Sequence, residues 1–275
     1  MARRILLTLL ALVAFAANSL LCRLALLNGE IDPASFTTIR LLAGAITLLL
    51  LLRTVKQPES ASWMSAFLLA LYAVPFAFAY LYLGAGTGSL LAFGAVQSTM
   101  ILGSYRQGKR LSTTQWFGLL LAFGGLVYLV LPGVHAPSPV GTALMLVAGA
   151  AWGLYSLRGR SAGNQALALT AANFIRATPM ALAVSLIYFS SAHLSTHGAL
   201  LAIASGALAS GLGYVIWYQV LPDLAPATAS VLQLAVPPIA AAGGILFLGE
   251  ALTVRLVIAS AVVLGGIALT LLSRR

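Results

Sequence analysis

The sequence predicts an all-α integral membrane protein of ten transmembrane helices, arranged as two inverted five-helix repeats. Three observations carry this reading. Of the 275 residues, 61% are hydrophobic and only 7% charged, with a mean hydropathy of +1.01. Soluble domains carry roughly 25% charged residues, so this chain could not cover a globule of its own size with polar surface, and a soluble enzyme is excluded. Apolar runs of about 20 residues, the length that crosses a bilayer, follow one another with short polar breaks. The second half of the chain also repeats landmarks of the first. Backbone in hydrocarbon must satisfy its own hydrogen bonds, and without alternating ten-residue strand patterns the runs are helices.

In chain order the spans fall at 5–27, 34–52, 63–83, 89–105, 114–131, 140–158, 166–189, 198–221, 227–248 and 252–272. Asn28-Gly29 and Asp32-Pro33 part the first two, since Gly accepts left-handed turns and Pro opens helices without continuing them. Pro58 follows the second span, Gly84 to Gly88 the third, Pro132 to Pro139 the fifth, Arg158 to Asn164 the sixth and Pro222 to Pro226 the eighth. Each turn is too short to hold a further domain. The start, Met1 to Asn18, mimics a secretory signal peptide, with basic residues followed by an apolar stretch and Ala14-Phe15-Ala16. The apolar run continues to Leu27 and has an internal copy, so it reads as a first span.

Fifteen Lys+Arg against five Asp+Glu give a net charge of +10, which in a soluble protein would point to nucleic acid. Here the cations cluster between apolar runs and report topology, so no nucleic-acid partner is expected. With the N-terminus in the cytoplasm, the inner segments hold Arg3, Arg4, Arg53, Lys56, Arg106, Lys109, Arg110, Arg158, Arg160, Arg274 and Arg275, eleven in all. The outer segments hold only Arg255, while Arg23, Arg40 and Arg176 lie within spans. Both termini are therefore expected in the cytoplasm. The single cysteine, Cys22, cannot form an intrachain disulfide or, alone, a structural zinc site.

At an offset of 141, Thr87 matches Thr228, Ser89 matches Ser230, Gly103 matches Gly244, Gly108 matches Gly249 and Gly124-Gly125 matches Gly265-Gly266. Leu12-Val13-Ala14 matches Leu146-Val147-Ala148 at 134, and Ile39-Arg40 matches Ile175-Arg176 at 136. Residues 1–135 thus read as the first repeat and 136–275 as the second, in one integrated transmembrane domain. Five spans is an odd number, so the copies lie in opposite orientations. Such repeats recur in secondary transporters, with the binding site between the halves near the midplane; a passive pore can be built the same way.

Gly103 to Arg110 matches most of a P-loop but has Arg110 where the Ser or Thr belongs, and no strand precedes it. Glu30, Asp32, Glu59, Asp223 and Glu250 sit at span ends or in loops, and His135, His193 and His197 lie in outer loops, so no acid and base converge. Neither a catalytic set nor a metal or cofactor site is expected. The costly features are the intramembrane arginines, at about 2.5 to 3.5 kcal/mol each for a central position. Arg23 and Arg40 lie within about two turns of the outer surface, where snorkelling or pairing with Glu30 and Asp32 is expected, Arg40 being also a candidate site residue. Arg176 lies about 18 Å past Asn164 by helical rise, too deep to snorkel easily, and is expected to line a wet cavity or bond backbone carbonyls.

Aromatic and amide residues form a second cluster. Tyr72, Phe76 and Tyr80 recur every four residues, and Tyr214, Trp217 and Tyr218 group in the eighth span. Phe76 and Trp217 are register mates, as are Asn18 and Trp152, and Trp152 shares a face with Tyr155. Gln97 lies on a face with Ser89 and Phe93, and Gln233 precedes Pro237-Pro238 by one turn. Polar groups in hydrocarbon need partners or water. The candidate substrate-binding set is therefore Asn18, Arg40, Phe76, Tyr80, Gln97, Trp152, Tyr155, Arg176, Trp217, Tyr218 and Gln233. Small residues at Gly206, Ala207, Ser210 and Gly211, and the glycine pairs of the fifth and tenth spans, are expected to let helices approach closely. The pairs on the fifth and tenth spans could also serve a dimer, and sequence leaves monomer and homodimer open.

Ala151-Trp152-Gly153 opening the second half, Ile175-Arg176 in its next span and Gly249-Glu250-Ala251-Leu252-Thr253 before the last span resemble the drug/metabolite transporter superfamily, and more narrowly its EamA-type exporters. Two departures stand out: Ala17-Asn18-Ser19 lacks the Trp, and Lys109 follows Gly108 where Glu is usual. The resemblance implies export of amino acids or related small metabolites across the cell inner membrane, through a central cavity and by alternating access. A passive pore or a structural membrane subunit is the alternative; an intramembrane enzyme lacks a catalytic pair. A reporter fused after Arg275 is expected to be active only in the cytoplasm, and a periplasmic signal would overturn the topology.

Overall fold

The structure is a computed structural model that describes residues 2–52, 61–106, 112–133, 136–159, 165–224 and 226–273. Arg53, Lys56, Glu59, Lys109, Arg110, His135, Arg160, Asn164, Arg274 and Arg275 lie outside the described residues, and with them part of the charge asymmetry and of the P-loop-like run. Among the described residues the chain is helical throughout, with a single isolated bridge between Ile31 and Leu194. The helices are α1 (Ala2–Leu27), α2 (Pro33–Leu52), α3 (Trp63–Ala79), α4 (Ala85–Arg106), α5 (Thr113–Val130), α6 (Pro139–Gly159), α7 (Ala166–Ile187), α8 (Thr196–Ala204), α9 (Gly213–Val220), α10 (Pro226–Gln233), α11 (Val236–Leu248) and α12 (Val254–Leu272). A π-helical segment, Ser205–Leu212, joins α8 to α9 in one continuous eighth span. Nine described stretches are long and apolar enough to cross a membrane, and the shorter apolar α3 makes the tenth. Large apolar side chains such as Leu50, Phe123, Ile187 and Phe247 stay exposed, as a lipid-facing surface requires.

Three spans depart from the sequence reading. The third was expected to run to residue 83 and the fourth to begin at 89; α3 instead stops at Ala79, and α4 starts at Ala85. Glycines in the Ala85–Gly88 run look like a break, but their missing side chains are what packing uses. A Cβ on Gly86 would meet the Cβ of Ala241 at 2.8 Å, and one on Gly88 would meet the ring of Tyr80 at 2.5 Å. The ninth span breaks at Leu234–Ala235, since Pro237 and Pro238 supply no backbone N–H to the preceding turn.

Helix pairings are reciprocal between the two halves of the chain. α5 packs on α12, α2 on α7 and α4 on α11. α4 also packs on α6 as α11 does on α1; α3 meets α6 as the eighth span meets α1; α2 meets the eighth span as α7 meets α3. The halves are interleaved, and the space between them is where a cavity can form.

Glycine permits the closest of these approaches, though only one member of each expected pair does so. Gly125 and Gly266 lie in the α5–α12 seam, whereas a Cβ on Gly124 or Gly265 would meet nothing within 4 Å. The partner of Gly266 is Gly118: a Cβ on either would stand 2.5 Å from the other's carbonyl oxygen. In the eighth span the expected small-residue stripe packs on α2, with Gly206 against the Arg40 carbonyl and Gly211 against Thr47. Gly118→Ala is expected to cost about 1–3 kcal/mol through overpacking, read as a lower thermal midpoint in detergent. Gly124→Ala, which faces open space, should leave the midpoint unchanged or slightly raised.

Candidate functional site

Between the halves lies a cavity of about 1040 Å³. Its mouth is lined by Ser62 and Ser65 at the start of α3, Arg158 at the end of α6, Ala166 opening α7, and Pro222 and Leu224 after α9. Its deep end reaches Arg40, Phe76 and Ser89. The loops at the other face, 28–32, 80–84, 188–195 and 249–253, contribute no lining residue. The mouth lies on the side that carries Arg3, Arg4, Arg106 and Arg158 at helix ends, opposite Arg255 at the start of α12.

The far side is closed by one cross-connected cluster. Gly249 ends α11 in the left-handed conformation at φ +65°, a turn glycine makes at no steric cost. The turn brings the Glu250 carboxylate to the start of α4, where Oε1 and Oε2 accept the Ala85 N–H at 2.9 and 2.8 Å. A carboxylate is favoured at a helix N-terminus by the free N–H groups and the helix dipole. Gly84 and Gly244 leave room for it: a Cβ on either would overlap Oε2. Arg23 of α1 stands 3.5 Å from Glu250 and donates through Nη1 to the Tyr80 carbonyl at 2.7 Å. Beside this cluster, Asp32 caps α2 through Oδ1 to the Ala34 and Ser35 N–H groups and accepts the His193 N–H through Oδ2. Glu30 takes the Ser195 hydroxyl and stands 3.6 Å from His197. Neither acid is a partner for an arginine among the described residues, so the expected snorkelling pairs do not form: Glu30 and Asp32 instead tie the first outer loop to the loop before α8.

Arg40 turns inward. It is 3% exposed, donates through Nη2 to the Tyr72 hydroxyl at 3.0 Å and reaches Ser210 Oγ through Nε at 3.5 Å. Its guanidinium lies over the rings of Tyr72 and Phe76 at 5.3 and 5.2 Å from their centroids. Asn18 Nδ2 also donates to the Tyr72 hydroxyl, at 3.2 Å, while Asn18 Oδ1 accepts from Ser205 at 2.8 Å. The Tyr72 ring is 4.8 Å from that of Trp152, which is 5.1 Å from Tyr155 and 5.8 Å from Tyr214; Tyr214 stacks on Tyr218 at 6.2 Å. The result is an aromatic wall running from Arg40 toward the mouth. Asn173 Nδ2 donates to the Tyr155 hydroxyl at 3.2 Å.

The sequence profile of the EamA-like transporter family matches residues 2–131 and again residues 139–272. The chain belongs to that family. It is a multi-pass membrane transporter of small solutes. It is 48% identical to an uncharacterized protein of Pseudomonas aeruginosa over 275 residues, covering 99% of this chain and 96% of that protein. It is 29% identical over 194 residues to an uncharacterized transporter of Archaeoglobus fulgidus, covering 68% of this chain and 67% of the relative. A solved crystal structure shares the fold over the whole chain and 99% of its own, with a TM-score of 0.70 at 18% identity.

Against this EamA-like frame, eight of the eleven sequence-selected residues line the cavity: Asn18, Arg40, Phe76, Trp152, Tyr155, Trp217, Tyr218 and Gln233. Three do not. Tyr80 caps α3, fully buried and edge-on to Phe76 at 4.9 Å. Gln97 is buried within α4. Arg176, the register mate of Arg40, lies over the ring of Trp63 at 5.3 Å and is not among the lining residues. The lining also includes Tyr72, Tyr214 and Asn173, which the selected set omits. The first two were legible as members of the aromatic runs. Asn173 carried a signal in being three residues before Arg176 in an apolar helix, where polar side chains share a face.

Cys22, fully buried one residue from Arg23, reports on the closed face. Glu250→Ala is expected to raise labelling of Cys22 by a membrane-impermeant maleimide several-fold in intact proteoliposomes. Unchanged protection in a folded Glu250→Ala protein would mean that the closure does not depend on this carboxylate.

Proposed function

We propose that the protein exports amino acids or related small metabolites from the cytoplasm of a bacterial-type inner membrane by alternating access. A single observation carries this: one solute-sized cavity, lined by both halves, opens at one face while the other face is closed by a polar cluster that also joins both halves. A pore or a purely structural subunit has no use for a one-mouthed cavity of this kind. Cations at the described helix ends on the mouth side support a cytoplasmic mouth, and the two separate family matches support two repeats of five spans. A site between inverted repeats suits rocking of one half against the other.

The aromatic wall suits solutes with bulky apolar or aromatic side chains, a substrate class that would make the protein similar to the aromatic amino acid exporter YddG of the same superfamily. The residues assigned to substrate are Asn18, Arg40, Phe76, Trp152, Tyr155, Trp217, Tyr218 and Gln233, joined by Tyr72 and Tyr214. A pocket of apolar walls with few polar groups is the usual form of a small-molecule site.

Proteoliposomes loaded with a mixed amino acid and metabolite pool are expected to show saturable uptake and counterflow. Linear, non-saturating flux would identify a pore instead. Trp152→Ala and Trp217→Ala should lower transport efficiency for a large amino acid more than for a small one, because the lost contact scales with side-chain area. A large-to-small ratio unchanged from the parent would assign these rings to helix packing.

A further inference from the structure

We propose that Arg40 is a carboxylate subsite, and that the cavity recognises aromatic monocarboxylates by the carboxylate and the ring, leaving an α-ammonium group unread. The inference deepens the transport reading and rests on it.

The first observation is an incomplete set of partners at a buried cation. A guanidinium offers five N–H donors in a planar fork that matches a carboxylate. In Arg40, Nη2 has the Tyr72 hydroxyl, Nε has Ser210 at the limit of hydrogen-bond distance, and Nη1 is buried with no hydrogen-bond partner. The ion pairs among the described residues are Arg4 with Asp223, Arg23 with Glu250 and His197 with Glu30; none reaches Arg40. The Tyr72 and Phe76 ring faces attract the positive charge but give its N–H groups no acceptor. A buried cation without a counter-ion is costly, and a bound carboxylate is the ligand that removes this cost.

The second observation is the sign of the cavity. Among the described residues its charged lining side chains are Arg40 at the deep end and Arg158 at the mouth, with no Asp or Glu. Like charges in a low-dielectric cleft raise the local concentration of the opposite sign, so anions are drawn in, while an ammonium group meets ring faces but no charged partner among the described lining residues. Two of the acceptors near Arg40 are also committed. The Tyr72 hydroxyl receives hydrogens from Arg40 and Asn18, and Asn18 Oδ1 receives one from Ser205. A zwitterion seated by its carboxylate therefore meets only neutral oxygens, such as the unpartnered Ser89 Oγ and Asn173 Oδ1, and among the described residues no anion to pair with its ammonium. The ring has a place: Trp152 and Tyr214, 5.8 Å apart and near-parallel, stand beside Tyr72 on the path from Arg40 to the mouth, and aromatic surfaces pair favourably with one another.

The test is calorimetric titration of the purified full chain in detergent with four probes that share a phenyl ring: hydrocinnamate (carboxylate only), phenylalanine (zwitterion), phenethylamine (ammonium only) and hydrocinnamamide (neutral). Hydrocinnamate and phenylalanine are expected to bind within a few-fold of each other, and the amine and amide at least ten-fold more weakly. Arg40→Gln should bring hydrocinnamate down to the level of the amide, and Arg40→Lys should keep part of its advantage. Equal binding of all four, binding led by the amine, or heat from none of them overturns the proposal. So does a folded Arg40→Gln protein that still prefers hydrocinnamate. Should Arg40→Gln fail to fold, Arg40→Lys and the parent series decide. Counterflow separates the two readings. Carboxylate binding without counterflow overturns the carrier and leaves the subsite, whereas counterflow that is indifferent to the carboxylate does the reverse.

Discussion

The Glu250 carboxylate, bonded to the first N–H of α4 and facing Arg23 across the halves, is the interaction on which the shape of the molecule depends. It draws α1, α4 and the turn after α11 together at one face, and a cavity formed between interleaved halves is thereby left with a single mouth. Three glycines serve this one side chain: Gly249 turns the chain toward α4, while Gly84 and Gly244 make room for the carboxylate. The energetic logic is that of any polar group near hydrocarbon. The anion is held by a helix N-terminus and a guanidinium, and the guanidinium is held in turn by a backbone carbonyl.

Arg40 occupies the opposite electrostatic situation a short way below that closure. Arg23 has a carboxylate beside it, while Arg40 has only a phenol, a distant serine and two ring faces. The contrast separates structure from function in two arginines of similar depth: one completes a seal, the other holds unused hydrogen-bonding capacity in a solute-sized space. Tyr72 links that cation to the rest of the cavity. Its hydroxyl collects donors from α1 and α2, and its ring begins the row that passes through Trp152 of α6 to Tyr214 of α9. Four spans drawn from both halves thus meet at one phenol, so motion between the halves must alter the surroundings of Arg40.

Repetition in the sequence explains some of this and misleads elsewhere. Phe76 and Trp217, register mates, both line the cavity. Arg40 and Arg176, also mates, do not share a fate, because a structure open at one face and closed at the other places the two halves in different surroundings. Asn18 stands where its mate is Trp152, and both touch Tyr72, the amide at its hydroxyl and the indole at its ring.

By itself, the sequence determined that this is a bundle of ten apolar helices in a membrane. It also determined where most of them begin and end, and that aromatic side chains gather in the third, sixth and eighth spans. Composition, span length and Gly/Pro punctuation are local properties, and the bilayer leaves the backbone few alternatives. Tertiary structure alone decided where α3 stops and α4 begins, since a carboxylate 165 residues away caps that helix. It decided that Glu30 and Asp32 serve loops while Glu250 takes Arg23, that Gly118 and not Gly124 faces Gly266, and that Arg40 lines the cavity while Arg176 lies over Trp63. Each of these depends on which helix faces which, and side chains on one helix face carry no record in sequence of the neighbour that will cover them.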